Sequence, residues 1–291
     1  MDQGKLYSAL LKSQQRQQAS TPTPPVEEKH RVEAPYTVTE EERLDTERML
    51  ARSLEKERPP VVYNPADTLR LIANPSPLSN SERQTRKIIY SGMANKAILD
   101  VYRTIRIKLR KRIDDDKNFS VLITSLSKNT NATLTAFNLA TSFAMQQQSA
   151  ALFIDCNPYD SGLAELIDTP LDKGVTDYIN DPELKVKDIM YPSGIDRLSV
   201  IPAGTLADAA TELFTLARMN DLMEDLKERY PDRFIIVNAP SLLQGTEASV
   251  LERYMDQTAL SILPGEVTRE DISAAVDTLN PKKFAGLIFQ Q

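Results

Sequence analysis

The sequence predicts a doubly wound α/β domain, a mostly parallel sheet flanked by helices, behind a long proline-rich arm. Three observations predict it. From residue 94 onward, short apolar runs alternate with longer stretches of helical spacing, the pattern of parallel strands joined by crossover helices. The first such run, at 119–124, passes through a small polar loop at 125–132 straight into a helix, the place where an α/β fold holds phosphate. Before residue 78 the chain carries half of its 18 prolines. So proline-dense a stretch does not bury enough apolar surface to offset its ordering entropy.

In chain order, residues 1–90 read as the arm. Two pieces of it have helical character. Leu6, Leu10 and Leu11 share one face of 5–18, and Thr39 with Glu42 forms a capping box ahead of Leu44, Leu50 and Leu54. The folded domain spans 91–291 and opens with a basic amphipathic helix at 94–112. Ile98, Val101, Tyr102, Ile105 and Leu109 follow helical spacing and are assigned to the core side. Arg103, Arg106, Lys108, Arg110, Lys111 and Arg112 lie on the other side. A basic face of this kind attracts anionic lipid, but an apolar side committed to the core argues against that use.

Next come a buried strand at 119–124 and a helix from Thr133, with Leu134, Phe137, Ala140, Phe143 and Ala144 on its packing face. Strands follow at 150–155 and 198–201, with short helical pieces at 174–179 and 184–190. A long helix at 213–230 turns Leu213, Leu216, Ala217, Leu222, Met223 and Leu226 inward. The remainder alternates strand 234–237, helix 247–255, strand 258–263, helix 269–279 and strand 284–289. No repeat is evident.

Composition narrows the function. A chain of 291 residues, 41% hydrophobic, supports one sizeable core and a tail. The net charge of −6 argues against nucleic acid as a partner. The lone cysteine, Cys156, fits a reducing compartment, and one histidine, His30 in the arm, makes histidine catalysis or a zinc site a poor reading. No apolar run of about 18 residues is present and the start lacks a signal core, so the expected location is the cytoplasm.

The loop carries the chemistry. A phosphate-binding loop follows G-x-x-x-x-G-K-[ST], with lysine on the β/γ-phosphates and the hydroxyl on Mg²⁺. In Ser127, Lys128, Asn129, Thr130, Asn131, Ala132 and Thr133 the hydroxyl is kept as Thr133. Ala132 stands at the lysine position, Asn131 stands at the glycine before it, and Asn129 is a second asparagine within the loop. Asn tolerates the left-handed conformations glycine uses, so the loop's shape survives while its charge is gone.

This stretch, ITSLSKNTNATLTAFNLA, resembles the nucleotide loop of the bacterial tyrosine kinases of exopolysaccharide and capsule biosynthesis, within the MinD/ParA-like P-loop group. Two further motifs agree. ALFIDCNPY resembles the family's Asp-x-Asp-x-Arg motif, with Asp155 kept and Asn157 and Tyr159 in place of Asp and Arg. FIIVNAP resembles its Asp-x-x-Pro motif, with Asn238 in place of Asp and Pro240 retained one residue before the motif's proline position, which Ser241 holds. Asp100, Arg103 and Arg106 resemble the family's Glu-x-x-Arg-x-x-Arg helix, which packs one subunit on the next. The family's tyrosine cluster follows its last strand, whereas the sequence given ends at Gln291 with no tyrosine after Tyr254, so an autophosphorylation tail is not expected.

The resemblance implies a degenerate, kinase-like subunit with no catalytic residue, no metal and no resident cofactor. ATP-Mg²⁺ would bind only if the altered loop still holds it. It also implies a homo- or hetero-oligomer, peripheral to the inner membrane through a partner. That partner is the cytoplasmic end of a membrane chain-length-determinant (polysaccharide copolymerase) protein or an active kinase paralogue. A weakly active ATP-dependent tyrosine kinase and a MinD/ParA-like positioning protein for a surface apparatus are the alternatives.

Overall fold

Ser120–Ser125 forms β1, buried along its whole length, and its alternate side chains feed two different cores. Val121 and Ile123 face one side of the sheet and Leu122 the other, the period of two that a strand imposes. In the computed structural model the described residues are 74–113, 118–126, 131–147, 149–160, 162–205, 210–243 and 245–290. The two arm segments with helical character, 5–18 and 39–57, lie outside them, as do Ser127, Lys128, Asn129 and Thr130 of the loop.

The helices are α1 (Asn80–Thr85), α2 (Lys96–Arg110), α3 (Ala132–Ala144), α4 (Gly162–Leu166), α5 (Val175–Asn180), α6 (Ala210–Thr215), α7 (Ala217–Arg229), α8 (Glu247–Glu252) and α9 (Arg269–Thr278). The strands after β1 are β2 (Ala150–Asp155), β3 (Tyr191–Pro192), β4 (Leu198–Ile201), β5 (Arg233–Asn238), β6 (Gln257–Ile262) and β7 (Phe284–Phe289). They form one sheet in the order β3-β4-β2-β5-β1-β6-β7, parallel except for the β3–β4 pair. The doubly wound prediction therefore holds.

On one face, α3 packs Ala136, Phe137, Ala140 and Phe143 against Val121, Phe153, Phe234 and Ile236. Phe119, Phe143 and Phe234 interlock there, with ring centroids 4.4–5.8 Å apart. On the other face, Met219, Leu222, Met223 and Leu226 of α7 cover Leu152, Ile154, Ile235 and Val237. A smaller core beneath α9 joins Leu126, Leu260, Ile262, Ala275 and Leu279.

Four expectations change. The piece at 184–190 shrinks to one 3₁₀ turn, Val186–Asp188. The long helix breaks at Leu216, whose backbone is extended (φ −66°, ψ 152°) and whose side chain is 47% exposed; Phe214 and Met219 are buried in its stead. Residues 74–90, read as arm, belong to the fold: Leu78, Ile88 and Ile89 are buried, and Leu78 N–H donates to the Gly194 carbonyl at 2.8 Å. Asn138 of α3 holds the same segment, accepting from Ile89 N–H at 2.9 Å and donating to the Lys87 carbonyl at 3.0 Å.

The fourth change concerns α2. Of its supposed core stripe only Leu109 is fully buried, while Ile98 and Val101 are exposed. Asp100, Arg103 and Arg106 do not form one free flank either. Arg103 pairs with Asp100 at 2.7 Å in the open, whereas half-buried Arg106 donates to the Ser142 carbonyl of α3. The helix lies at the margin of the sheet, so its apolar side runs past the edge of what it covers.

Candidate functional site

In an open parallel sheet the crevice for ligands lies beyond the carboxyl ends of the strands, where the chain reverses its direction of travel across the sheet. Here β1 lies between β5 and β6, and its carboxyl end, that of β5 and that of β2 come together. Asp155 is the last residue of β2 and Asn238 the last of β5, and the two stand in register on neighbouring strands. Thr133 occupies the first turn of α3, opposite them.

These three residues close on one another. The Asn238 amide nitrogen donates to Asp155 Oδ1 at 2.9 Å and to Thr133 Oγ1 at 3.1 Å. Asn157 N–H donates to the same Asp155 oxygen at 3.0 Å. Asn238 and Asp155 are both almost completely buried, and Asn238 Oδ1 has no hydrogen-bond partner among the described residues. Burial raises the Asp155 carboxyl from 3.8 to about 7; the bonds from Asn238 and Asn157 oppose this, and nearby Asp160 adds to it.

Around this centre the loop after β2 folds tightly. Gly162 N–H donates to Asp160 Oδ1 at 3.0 Å, and a Cβ at Gly162 would stand 3.3 Å from Thr133 Cβ. Asn157 accepts from Tyr159 N–H at 3.3 Å, which turns the chain back on itself. The Tyr159 hydroxyl then donates to Glu247 Oε1 at 3.0 Å at the start of α8. Glu247 was missed by sequence reasoning; a buried acid in the first turn of a helix is its only signal, and that signal is weak. Tyr159 was noticed only as the residue in the arginine position.

Ala132 and Asn131 open α3, and Asn131 makes no side-chain cap bond to it. Ala132 is buried and presents a methyl group where a phosphate loop presents an ammonium. No group of three or more His, Cys, Asp or Glu residues suited to a metal occurs among the described residues. Among the described residues, the Asn238 amide nitrogen lies between one carboxylate and one hydroxyl, and the Asp160 carboxylate stands nearby. That nitrogen satisfies Asp155 and Thr133 as hydrogen-bond acceptors and supplies no net charge.

The fold defines the class: a doubly wound, mostly parallel α/β domain of the P-loop NTPase-like fold. No family model matches the chain. It is 24% identical over 188 residues to the tyrosine-protein kinase CpsD of Streptococcus agalactiae, covering 64% of this chain and 80% of that protein. It is 24% identical over 201 residues to the tyrosine-protein kinase YwqD of Bacillus subtilis, covering 69% and 83%. The kinase domain of the Escherichia coli tyrosine kinase ETK has the same fold, with a TM-score of 0.62 at 21% identity over 74% of this chain and 88% of that one. The chain is a homologue of the bacterial tyrosine-protein kinases.

Proposed function

We propose that the chain is a catalytically degenerate relative of these kinases that assembles or regulates the machinery of exopolysaccharide or capsular polysaccharide biosynthesis and export. The observation that carries the reading is the Asn238 amide nitrogen bonded to both Asp155 and Thr133, where an active loop would need a cation and charged acceptors. Phosphoryl transfer is almost entirely positioning and charge neutralisation over the γ-phosphate. Ala132, Asn157 and Asn238 each remove a charge from that task. The site works as a structural knot that ties β2, β5 and α3 together.

Function then rests on assembly. No helix among the described residues is long and apolar enough to cross a membrane. The partner class is the cytoplasmic end of a membrane chain-length-determinant protein or an active kinase paralogue. The exposed Asp100–Arg103 pair is the proposed subunit contact, and Arg106 supports it by fixing α2 to α3. A weakly active ATP-dependent tyrosine kinase is the second reading, favoured by the retained Thr133 and Asp155.

Isothermal titration of the purified chain with ATP-Mg²⁺ tests the first reading. No measurable heat is expected, and low-micromolar affinity would replace it with the second. Arg103→Ala, followed by light scattering and capture by a purified kinase paralogue, tests the assembly surface. Unchanged mass together with unchanged capture removes it.

A further inference from the structure

Helix α2 has 15 residues, yet it buries only one of them completely. Contact with lipid was set aside on the ground that its aliphatic side is committed to the core. The structure removes that objection. Ile98 is 40%, Val101 54% and Ile107 45% exposed, and Phe289 at the end of β7 is 64% exposed. Val101 on the helix and Phe289 on the edge strand border one groove of about 600 Å³, which also takes in Ile105, Ala259 and Ile288. Lys108 stands on its rim.

Charge complementarity indicates what covers this face. Residues 96–112 hold seven Lys or Arg and one Asp, a charge of +6, in a chain of net −6, so the remainder carries −12. Asp100 is taken up by Arg103, while Arg106 and Arg110 turn back onto α3 through the Ser142 carbonyl and the Gln146 side chain. Lys96, Lys108, Lys111 and Arg112 remain outward and exposed, Arg112 giving one bond to the Lys282 carbonyl. An acidic run, Asp114 to Asp116, ends the stretch and lies outside the described residues.

We propose that this face lies directly on the anionic surface of a lipid bilayer, with Val101, Ile107 and Phe289 entering the headgroup boundary and Lys108 and Lys111 reaching lipid phosphates. Basic side chains interleaved with aliphatic ones suit an interface that is apolar below and anionic above, because a lysine stem lies along apolar surface while its head stays wet. The same helix of a second copy is a poor occupant, since two faces of like charge repel, and docking of this face on the acidic remainder of another copy is an outcome the test below reads. The proposal does not use the crevice, but Asp100 lines the same groove, so lipid and the subunit contact assigned to the Asp100–Arg103 pair compete for one surface and the oligomeric mass read below separates them.

The test is flotation of the full chain with phosphatidylcholine vesicles, with and without phosphatidylglycerol. Recovery with the anionic vesicles alone, weakened by added salt, is expected. Lys108→Gln with Lys111→Gln should weaken partition about thirtyfold, because each cation near such a surface contributes a similar increment. Val101→Ser with Ile107→Ser should also lower recovery, by removing the inserted aliphatics. Absence of recovery with anionic vesicles overturns the proposal, as does recovery that survives both double variants. A fall in oligomeric mass of the lysine variant without vesicles would instead make the face a protein interface, and would overturn it too.

Discussion

The Asn238 side-chain amide donates to Asp155 Oδ1 at 2.9 Å, joining the last residues of two parallel strands that stand in register. This bond puts a neutral donor beside a buried acid whose proton affinity is already raised. The pair therefore has a pH dependence opposite to that of a salt-bridged carboxylate.

The sign follows from linkage. Burial raises the folded-state pKa of Asp155 from 3.8 to about 7, so the folded chain holds the proton more tightly than the unfolded one. The stabilisation is fully present below about pH 4 and is lost as pH rises toward 7. Asp155→Asn keeps an oxygen acceptor for Asn238 and cannot ionise. Urea denaturation of the two chains should show the variant gaining on the wild type by a few kcal/mol between about pH 4 and pH 8. Parallel pH profiles would contradict it.

A carboxylate placed at position 238 should not by itself create a nucleotide site. Asn238→Asp alone replaces the donor with a carboxylate against Asp155 Oδ1, and two acids at that distance do not both ionise. The expected outcome is a lower melting temperature at neutral pH, with no gain in ATP-Mg²⁺ binding by titration calorimetry. A stabilised variant that binds nucleotide would refute this account of the site.

Phe143 is completely buried among Phe119 and Phe234 at the centre of the α3 face. Phe143→Ala removes two ring contacts and leaves a cavity. A loss of about 3–5 kcal/mol is expected on denaturant unfolding. A loss under about 1 kcal/mol would mean that the aromatic cluster repacks.

The close approach of Gly174 to the loop of Pro202, Ala203 and Gly204 should tolerate no side chain at Gly174. A Cβ there would lie 2.1 Å from the Pro202 carbonyl oxygen and 2.4 Å from the Gly204 nitrogen, both backbone atoms. Asp177 fixes the contact by accepting from Gly174 N–H at 2.8 Å and Thr205 N–H at 3.1 Å. Gly174→Ala should cost at least about 1–3 kcal/mol in a thermal melt. An unchanged melt would show that the loop is free to move away.

A chain beginning at Ser91 should be less stable than one beginning at Asn74. The shorter chain lacks Leu78, Ile88 and Ile89, each buried in the fold, and each contributing roughly 1.5–3 kcal/mol. Denaturant midpoints of the two chains, compared directly, decide it.

Much of the fold was legible because β1, β2 and β5 are buried on both faces and read as unbroken apolar runs. The uncharged residues at 132, 157 and 238 were singled out by motif spacing alone. What they contact was not legible: that Asn238 turns its nitrogen toward Asp155 depends on strand register, which no single segment encodes. The stripe on α2 failed for a related reason. Helical spacing tells which side is apolar, and only the sheet's width tells how much of that side is covered. The segment at 74–90 carried a readable mark, the capping box of Ser79 and Glu82, which its neighbouring prolines obscured.

Helix α3 buries 12 of its 13 residues, so it has no solvent side on which to bend. At its first turn Thr133 accepts from Asn238, and near its last turn the Ser142 carbonyl accepts from Arg106. A rod about 20 Å long thus touches the crevice at one end and the exposed basic helix at the other. Clamped along its sides, such a rod responds to a push at either tip by sliding or tilting whole. The crevice and the outer helix therefore stand at the two ends of one rigid element, to which Tyr102, Arg106 and Arg110 all fix the outer helix.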